Sequence, residues 1–291
     1  MNQIVVGADG SEQSLAATAW AAEEAARRGA SLRVVLVVAP WLFDVPVDPR
    51  AGAVRKWLLD GGEEIVGRAV AVARERAPGV EVTGVQRGGN AAEVLMEEAR
   101  DALMLVAGTR GTGGLTGLVL GSVALQVASH AERPAVIVPA GEAADGGHGE
   151  VVVGVDGSAG SAAAIGFAFE EAALRRARLR AVLAWTHPAS TAPEALRPPA
   201  FDPENARAER ERALAESLAG WCERFPEVEV AREVVYRRAV RALADASAGA
   251  ELLVVGSRGR GGFTGLLLGS VGHAMLHRAA CPVAVVRSPR D

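Results

Sequence analysis

Short apolar runs alternating with longer amphipathic stretches set the rhythm of this 291-residue chain. Residues 3–8 (QIVVGA), 32–38 (LRVVLVV), 80–85 (VEVTGV), 103–108 (LMLVAG) and 135–140 (AVIVPA) are valine-rich and of strand length. The series returns at 151–155 (VVVGV), 179–185 (LRAVLAW), 228–235 (VEVAREVV), 252–257 (LLVVGS) and 283–288 (VAVVRS). Runs this continuous fit strands buried on both faces, the condition of a parallel sheet covered by helices. The stretches between are helical by period: Leu214, Leu218, Trp221, Cys222 and Phe225 form one stripe. Each half reads as five strands alternating with four helices, a doubly wound α/β sheet. In the stretch 54–76 the helix is opposed by Gly61 and Gly62, which together cost about 2 kcal/mol of propensity.

The two halves repeat each other. Residues 6–36 and 153–183 are identical at more than half their positions, and GTRGTGGLTGLVLGSV (108–123) returns as GSRGRGGFTGLLLGSV (256–271). The chain therefore divides into a first domain at 1–140, a linker at 141–150 (GEAADGGHGE) and a second domain at 151–291. Proline-rich segments at 39–52 and 186–203 follow the second strand of each half, as surface excursions or as covers.

Composition narrows the function. Residues 1–148 carry 13 basic and 18 acidic side chains and residues 149–291 carry 18 and 17, with a net charge of -4, so no general nucleic-acid surface is indicated. Lys56 is the only lysine and has no glycine loop before it, which excludes a P-loop. No run is long enough to span a bilayer, and MNQIVVGADG has no basic n-region, so no membrane association or export is expected. Two cysteines, Cys222 and Cys281, fit a reducing cytoplasm better than a disulfide framework.

Two loops per half meet beyond the strand ends, where doubly wound sheets bind ligands. One holds Asp9-Gly10-Ser11 or Asp156-Gly157-Ser158. Ser11 and Ser158 are the better helix caps, which leaves Asp9 and Asp156 to cap as well or to reach a ribose hydroxyl or a phosphate-bound metal. The other is the glycine loop. Gly108, Gly111, Gly113, Gly117 and Gly121 in one copy, and Gly256, Gly259, Gly261 and Gly269 in the other, make either a tight strand-to-helix turn or a cradle of bare amides for an anion. Ser122 and Ser270 add hydroxyls, Thr109 and Ser257 can do the same, and Arg110 and Arg258 either pair with phosphate or stay solvated.

Other chemistries fit less well. A dehydrogenase fingerprint belongs after the first strand, not the fourth. LGSVG at 268–272 has Leu268 where a nucleophile elbow needs glycine. His273 and His277 are one turn apart, but the base of a metalloprotease is missing between them, and they read as surface histidines.

Gly108-x2-Gly111-x9-Gly121-Ser122 and Gly256-x2-Gly259-x9-Gly269-Ser270, with the Asp-Gly-Ser turns and the CPVAVV ending, resemble the universal stress protein family across both halves. The resemblance implies a sheet ordered 3-2-1-4-5 in each half and an ATP site built on the motif glycines and Gly-Ser, with Val123 and Val271 beside it. It implies Asp9 and Asp156 near the sugar and Mg2+, and backbone from Val37, Val38, Ala184 and Trp185 for adenine. It further implies a homodimer of tandem chains, and a regulatory binding protein of stress responses rather than an enzyme. Slow ATP hydrolysis or adenylate transfer, and an interaction module with purely structural glycine loops, are the alternatives. One departure separates the halves: RGGNAAEVL (87–95) stands where the second half has YRRAVRAL (236–243). Tyr236, Arg237 and Arg238 would either crowd the second site or add positive charge, so the two sites are expected to differ.

Overall fold

A computed structural model of the chain divides into two compact units, Met1–Asp145 and Gly146–Asp291. It describes residues 2–40, 42, 49–111, 120–139, 149–186, 202–259 and 267–288. Half of the first proline-rich segment, most of the second and nearly all of the expected linker lie outside these residues.

The first unit runs β1 (Gln3–Gly7), α1 (Glu12–Arg28), β2 (Ser31–Val38), α2 (Pro49–Arg76), β3 (Val82–Gly88), α3 (Ala91–Glu98), β4 (Met104–Gly108), α4 (Ser122–His130) and β5 (Ala135–Val138). The second runs β6 (Glu150–Gly154), α5 (Ala159–Arg175), β7 (Arg178–Trp185), α6 (Pro203–Arg224), β8 (Val230–Tyr236), α7 (Ala239–Ser247), β9 (Leu252–Gly256), α8 (Ser270–Arg278) and β10 (Val283–Val286). Strand order is β3-β2-β1-β4-β5 in the first unit and β8-β7-β6-β9-β10 in the second, all parallel. In the first unit α1 and α2 pack together on one face and α3 and α4 on the other; α5 with α6 and α7 with α8 do the same in the second. The doubly wound class is the one the hydrophobic pattern predicts, and the order 3-2-1-4-5 is the one the resemblance implies.

Burial follows position in the sheet. The central residues of β1, β4, β6 and β9 are fully covered, whereas the edge strands β3 and β8 are half-buried or exposed at every position but Val82. Leu214 and Leu218 of the α6 stripe are completely buried. Beside them the Phe169 ring stacks against Trp221 and Phe225, with centroids 6.2 and 5.9 Å apart.

The helix expected over 54–76 runs unbroken through both glycines, from Pro49 to Arg76. Packing overrides propensity here, as it does in most protein helices. A side chain at Gly62 would strike Gln86 of β3, and one at Gly84 would strike Val66 and Val70 of α2. The missing side chains let helix and strand approach until Gln86 Nε2 donates to the Leu59 carbonyl at 3.0 Å.

Helix ends show how the halves have diverged. Ser11 and Ser158 cap α1 and α5, each accepting a backbone N–H, from Ser14 and Ser161, at 3.1 Å. At the other ends Gly29 closes α1 in the left-handed region (φ 57°), while α5 closes on Arg176 at φ 53°. A residue with a Cβ pays for that conformation, by roughly 1–2 kcal/mol.

Both cysteines are free thiols; burial pushes Cys281 up to about 12. Among the described residues no helix is long and apolar enough to cross a membrane.

Glu98, the last residue of α3, takes Arg33 of β2 and Arg87 of β3, each with its Nε 2.6 Å from a carboxylate oxygen. Partial burial pushes the Glu98 carboxyl up, but the hydrogen bonds and charges of the two arginines together outweigh it and hold the pKa below its ordinary 4.5. A carboxyl depressed on folding contributes stability that is complete above its unfolded pKa and is lost as pH falls through its folded value.

Two outcomes are expected. The melting-temperature gap between the native chain and Glu98→Gln should stay constant above about pH 5.5 and close progressively below about 4.5; a gap that widens in acid would contradict the pairing. Arg176→Gly should stabilise the chain by about 0.5–1 kcal/mol after the added freedom of the unfolded chain is subtracted. A thermal melt that moves up by roughly 2 °C would register it.

Candidate functional site

The strand order reverses between β1 and β4, and between β6 and β9, which opens a crevice beyond those strand ends. Into it runs the Asp-Gly-Ser turn. Gly10 and Gly157 hold φ of 84° and 75°, a left-handed turn that reverses the chain between strand and helix. The turn orients its carboxylate: Asp9 Oδ1 accepts from the Ser11 N–H at 3.0 Å and from Ser11 Oγ at 2.6 Å. Asp156 Oδ1 accepts from the Ser158 N–H at 2.9 Å. Each aspartate thus has one oxygen committed to its own turn.

The other carboxylate oxygen explains a motif glycine. A Cβ at Gly111 would fall on Asp9 Oδ2, and one at Gly259 on Asp156 Oδ2. Gly108 and Gly256 have a different task, since a Cβ there would lie 2.8 Å from the Gln13 carbonyl oxygen or 2.6 Å from the Gly160 carbonyl carbon. They let β4 and β9 pass close under the first turns of α1 and α5. The glycine loop closes on itself where the Gly121 N–H donates to the Thr109 carbonyl and the Gly269 N–H to the Ser257 carbonyl, both at 2.7 Å. Gly113, Gly117 and Gly261 lie outside the described residues.

Gly121 and Gly269 then stand at the N-caps of α4 and α8, without a side-chain cap hydrogen bond. The caps of α1, α3, α5 and α6 all supply one. The first-turn amides of α4 and α8 thus keep the partial positive charge of a helix start facing outward.

What they face is a cavity. In the first unit it measures about 270 Å3, lined by Asp9, Val35, Val37, Gly108, Thr109, Arg110, Gly111, Gly121, Ser122 and Val123 among others. In the second it measures about 380 Å3, lined by Asp156, Val182, Ala184, Gly256, Arg258, Gly259, Gly269, Ser270 and Val271 among others. Val38 and Trp185 stand apart from these linings. Side chains alternate along a strand, so when Val37 and Ala184 face the cavity their neighbours face the other side. The Trp185 ring accordingly lies under the Arg210 guanidinium of α6, 5.7 Å away. Thr109 and Ser257 are buried, and only Thr109 is among the lining.

Sequence reading missed the opposite wall, made by Ala91 and Leu95 in the first unit and Ala239 and Leu243 in the second. Its signal was present: Gly7 and Gly154 stand two residues before the aspartates, and a Cβ there would lie 2.9 or 3.0 Å from the Leu95 or Leu243 side chain. The divergent loop after the third strand is also resolved into parts. Tyr236 turns away and meets Trp185 edge-on at 4.7 Å, Arg237 pairs with Asp245 at 2.5 Å, and Arg238 takes the N-cap of α7. Elsewhere His273 and His277 are exposed, with rings 5.0 Å apart, and no group of three metal-ligating side chains exists among the described residues.

This is a doubly wound α/β chain in tandem, with a cavity at the switch point of each half. The profile of the Universal stress protein family matches residues 1–139 and again 148–287. The chain is 40% identical to universal stress protein Rv2005c of Mycobacterium tuberculosis (strain ATCC 25618 / H37Rv), over 98% of this chain and 96% of that one. It is 36% identical to universal stress protein Rv2623 of the same strain over the same shares. The crystal structure of a universal stress protein from Archaeoglobus fulgidus DSM 4304 has a TM-score of 0.71, covering 100% of this chain and 97% of that one at 18% identity, a likeness of fold. The chain belongs to the universal stress protein family.

The contact between Asp9 and Gly111 can be tested without any ligand. Gly111→Ala should destabilise the chain by about 1–3 kcal/mol, as overpacking does. Asp9→Ala in the same chain should recover most of that loss in a double-mutant cycle followed by thermal melting. Additive effects would show that the two residues do not touch.

Proposed function

We propose that the chain is an ATP-binding regulatory protein of stress responses, with one nucleotide site in each half. The observation that carries this reading is the pair of helix starts, α4 and α8, each with a glycine cap that supplies no side-chain hydrogen bond and each opening on a cavity. Outward amides at a helix start suit a phosphate, and the apolar walls of Val35 and Val37, or of Val182 and Ala184, suit the flat face of a base.

In this reading Ser122 and Ser270 donate hydroxyls beside the first-turn amides, and Val123 and Val271 flank them. Arg110 and Arg258 supply positive charge at the mouth. The backbone of Val37, Val38, Ala184 and Trp185 meets the adenine edge. Gly113 and Gly261 contribute to phosphate binding, as the family resemblance implies.

Asp9 and Asp156 hold the sugar or the nucleotide's Mg2+. Their fit to the metal is chemical: Mg2+ is commonly bound through one or two carboxylates together with substrate phosphates, not in an all-protein cage. Each carboxylate is already steadied by its serine, an arrangement suited to holding a ligand in place rather than to activating water. The protein acts by changing conformation or partners when loaded, in the cytoplasm and as a homodimer of tandem chains, with no nucleic acid and no membrane involved. These last points rest on family resemblance and composition.

Titration with Mg-ATP should raise the melting temperature, because a ligand held by the native state at a hundred times its Kd stabilises by about 2.7 kcal/mol. Mass spectrometry of the freshly purified protein should find an adenine nucleotide. A melt insensitive to millimolar ATP in nucleotide-free protein would overturn the reading in favour of structural glycine loops.

A further inference from the structure

Among the described residues five strand positions line each cavity, and they correspond one to one. Three pairs are identical: Gly7 with Gly154, Val35 with Val182, and Gly108 with Gly256. The other two pairs exchange the same two side chains. Ala184 of β7 stands for Val37 of β2, while Val255 of β9 stands for Ala107 of β4. Bulk that the first half keeps at the end of β2 is thus moved, in the second half, to the strand beside the switch point.

Position decides what the exchange does. Val255 is 3% exposed, and a Cβ on Gly154 would lie 3.7 Å from its Cγ1 and 3.0 Å from Leu243, so this valine closes the floor. Val37 and Ala184 are only partly covered, on the outer wall. β4 leads into α4, and β2 lies two strands from β4, about 10 Å across the sheet. β7 and β9 stand in the same relation. The helix-start amides and the Val37 or Ala184 side chain therefore bound opposite ends of one cavity. A nucleotide whose phosphates meet the amides points its base at that side chain. The second cavity, with the smaller residue there, measures about 380 Å3 against 270 Å3. Gly272 stands for Ala124 as well, but on α8, at the phosphate end.

We infer that Val37 and Ala184 set the width of base that each half accepts. Besides ATP, the second half takes a purine nucleotide whose base edge carries an added alkyl or aryl group, and Val37 confines the first half to the unsubstituted base. This rests on the nucleotide reading of the cavities given above.

Isothermal calorimetry on the full chain with ATP and N6-benzyl-ATP tests it. The native chain should take ATP in both halves and the analogue in the second half alone. Val37→Ala should open a further place for the analogue. Ala184→Val should weaken the analogue relative to ATP by roughly tenfold or more, the size of a modest overpacking. Each substitution installs the residue that the other half carries at that position, and a gain of binding in Val37→Ala is not an outcome that misfolding can produce. Analogue binding that follows ATP binding and is unmoved by either substitution overturns this inference alone, as does exclusion of the analogue from both halves. Binding of neither nucleotide overturns the reading of the cavities, and this inference with it.

Discussion

The contact between an aspartate carboxylate and a bare glycine backbone decides how each half of this protein is organised at its switch point. Asp9 lies against Gly111, and Asp156 against Gly259, so closely that a single methyl group would separate them. The contact joins the turn after the first strand to the loop after the fourth, which are distant in sequence but adjacent in a doubly wound sheet. Each serine cap fixes the carboxylate from one side and each glycine admits it from the other. The glycine loop then has a defined starting point, and the helix after it begins where its first-turn amides meet the cavity.

Glycines in one motif therefore have separate physical causes. Gly108 and Gly256 admit the first turn of a neighbouring helix, Gly111 and Gly259 admit a carboxylate, and Gly121 and Gly269 begin a helix without blocking its amides. Packing and recognition are not rival explanations of the motif. The same residues hold the turn closed and leave its amides uncovered.

Much of this was legible in the sequence because the information was periodic or local. Valine-rich runs marked the ten strands of the described residues, the repeat gave their division into halves, and Ser11 and Ser158 followed capping rules that depend on a few neighbouring residues. What escaped depends on contacts between segments far apart in the chain. Gly61 and Gly62 weigh against a helix until Gln86 is seen lying in the gap left at Gly62. The cavity wall of Leu95 and Leu243 was hidden for the same reason, since its partner glycines sit about ninety residues away, at the ends of β1 and β6. The resemblance offers only the backbone of Trp185 to the adenine, and the alternation of the strand sends its ring toward α6.

The burial of Cys281 limits how this protein can meet oxidants. Burial pushes its pKa up to about 12 and keeps the thiol protonated at neutral pH, whereas the thiolate is the form that attacks peroxide. Cys222, on α6, is only partly covered. Of the two cysteines, it is Cys281 whose surroundings withhold it from such reactions.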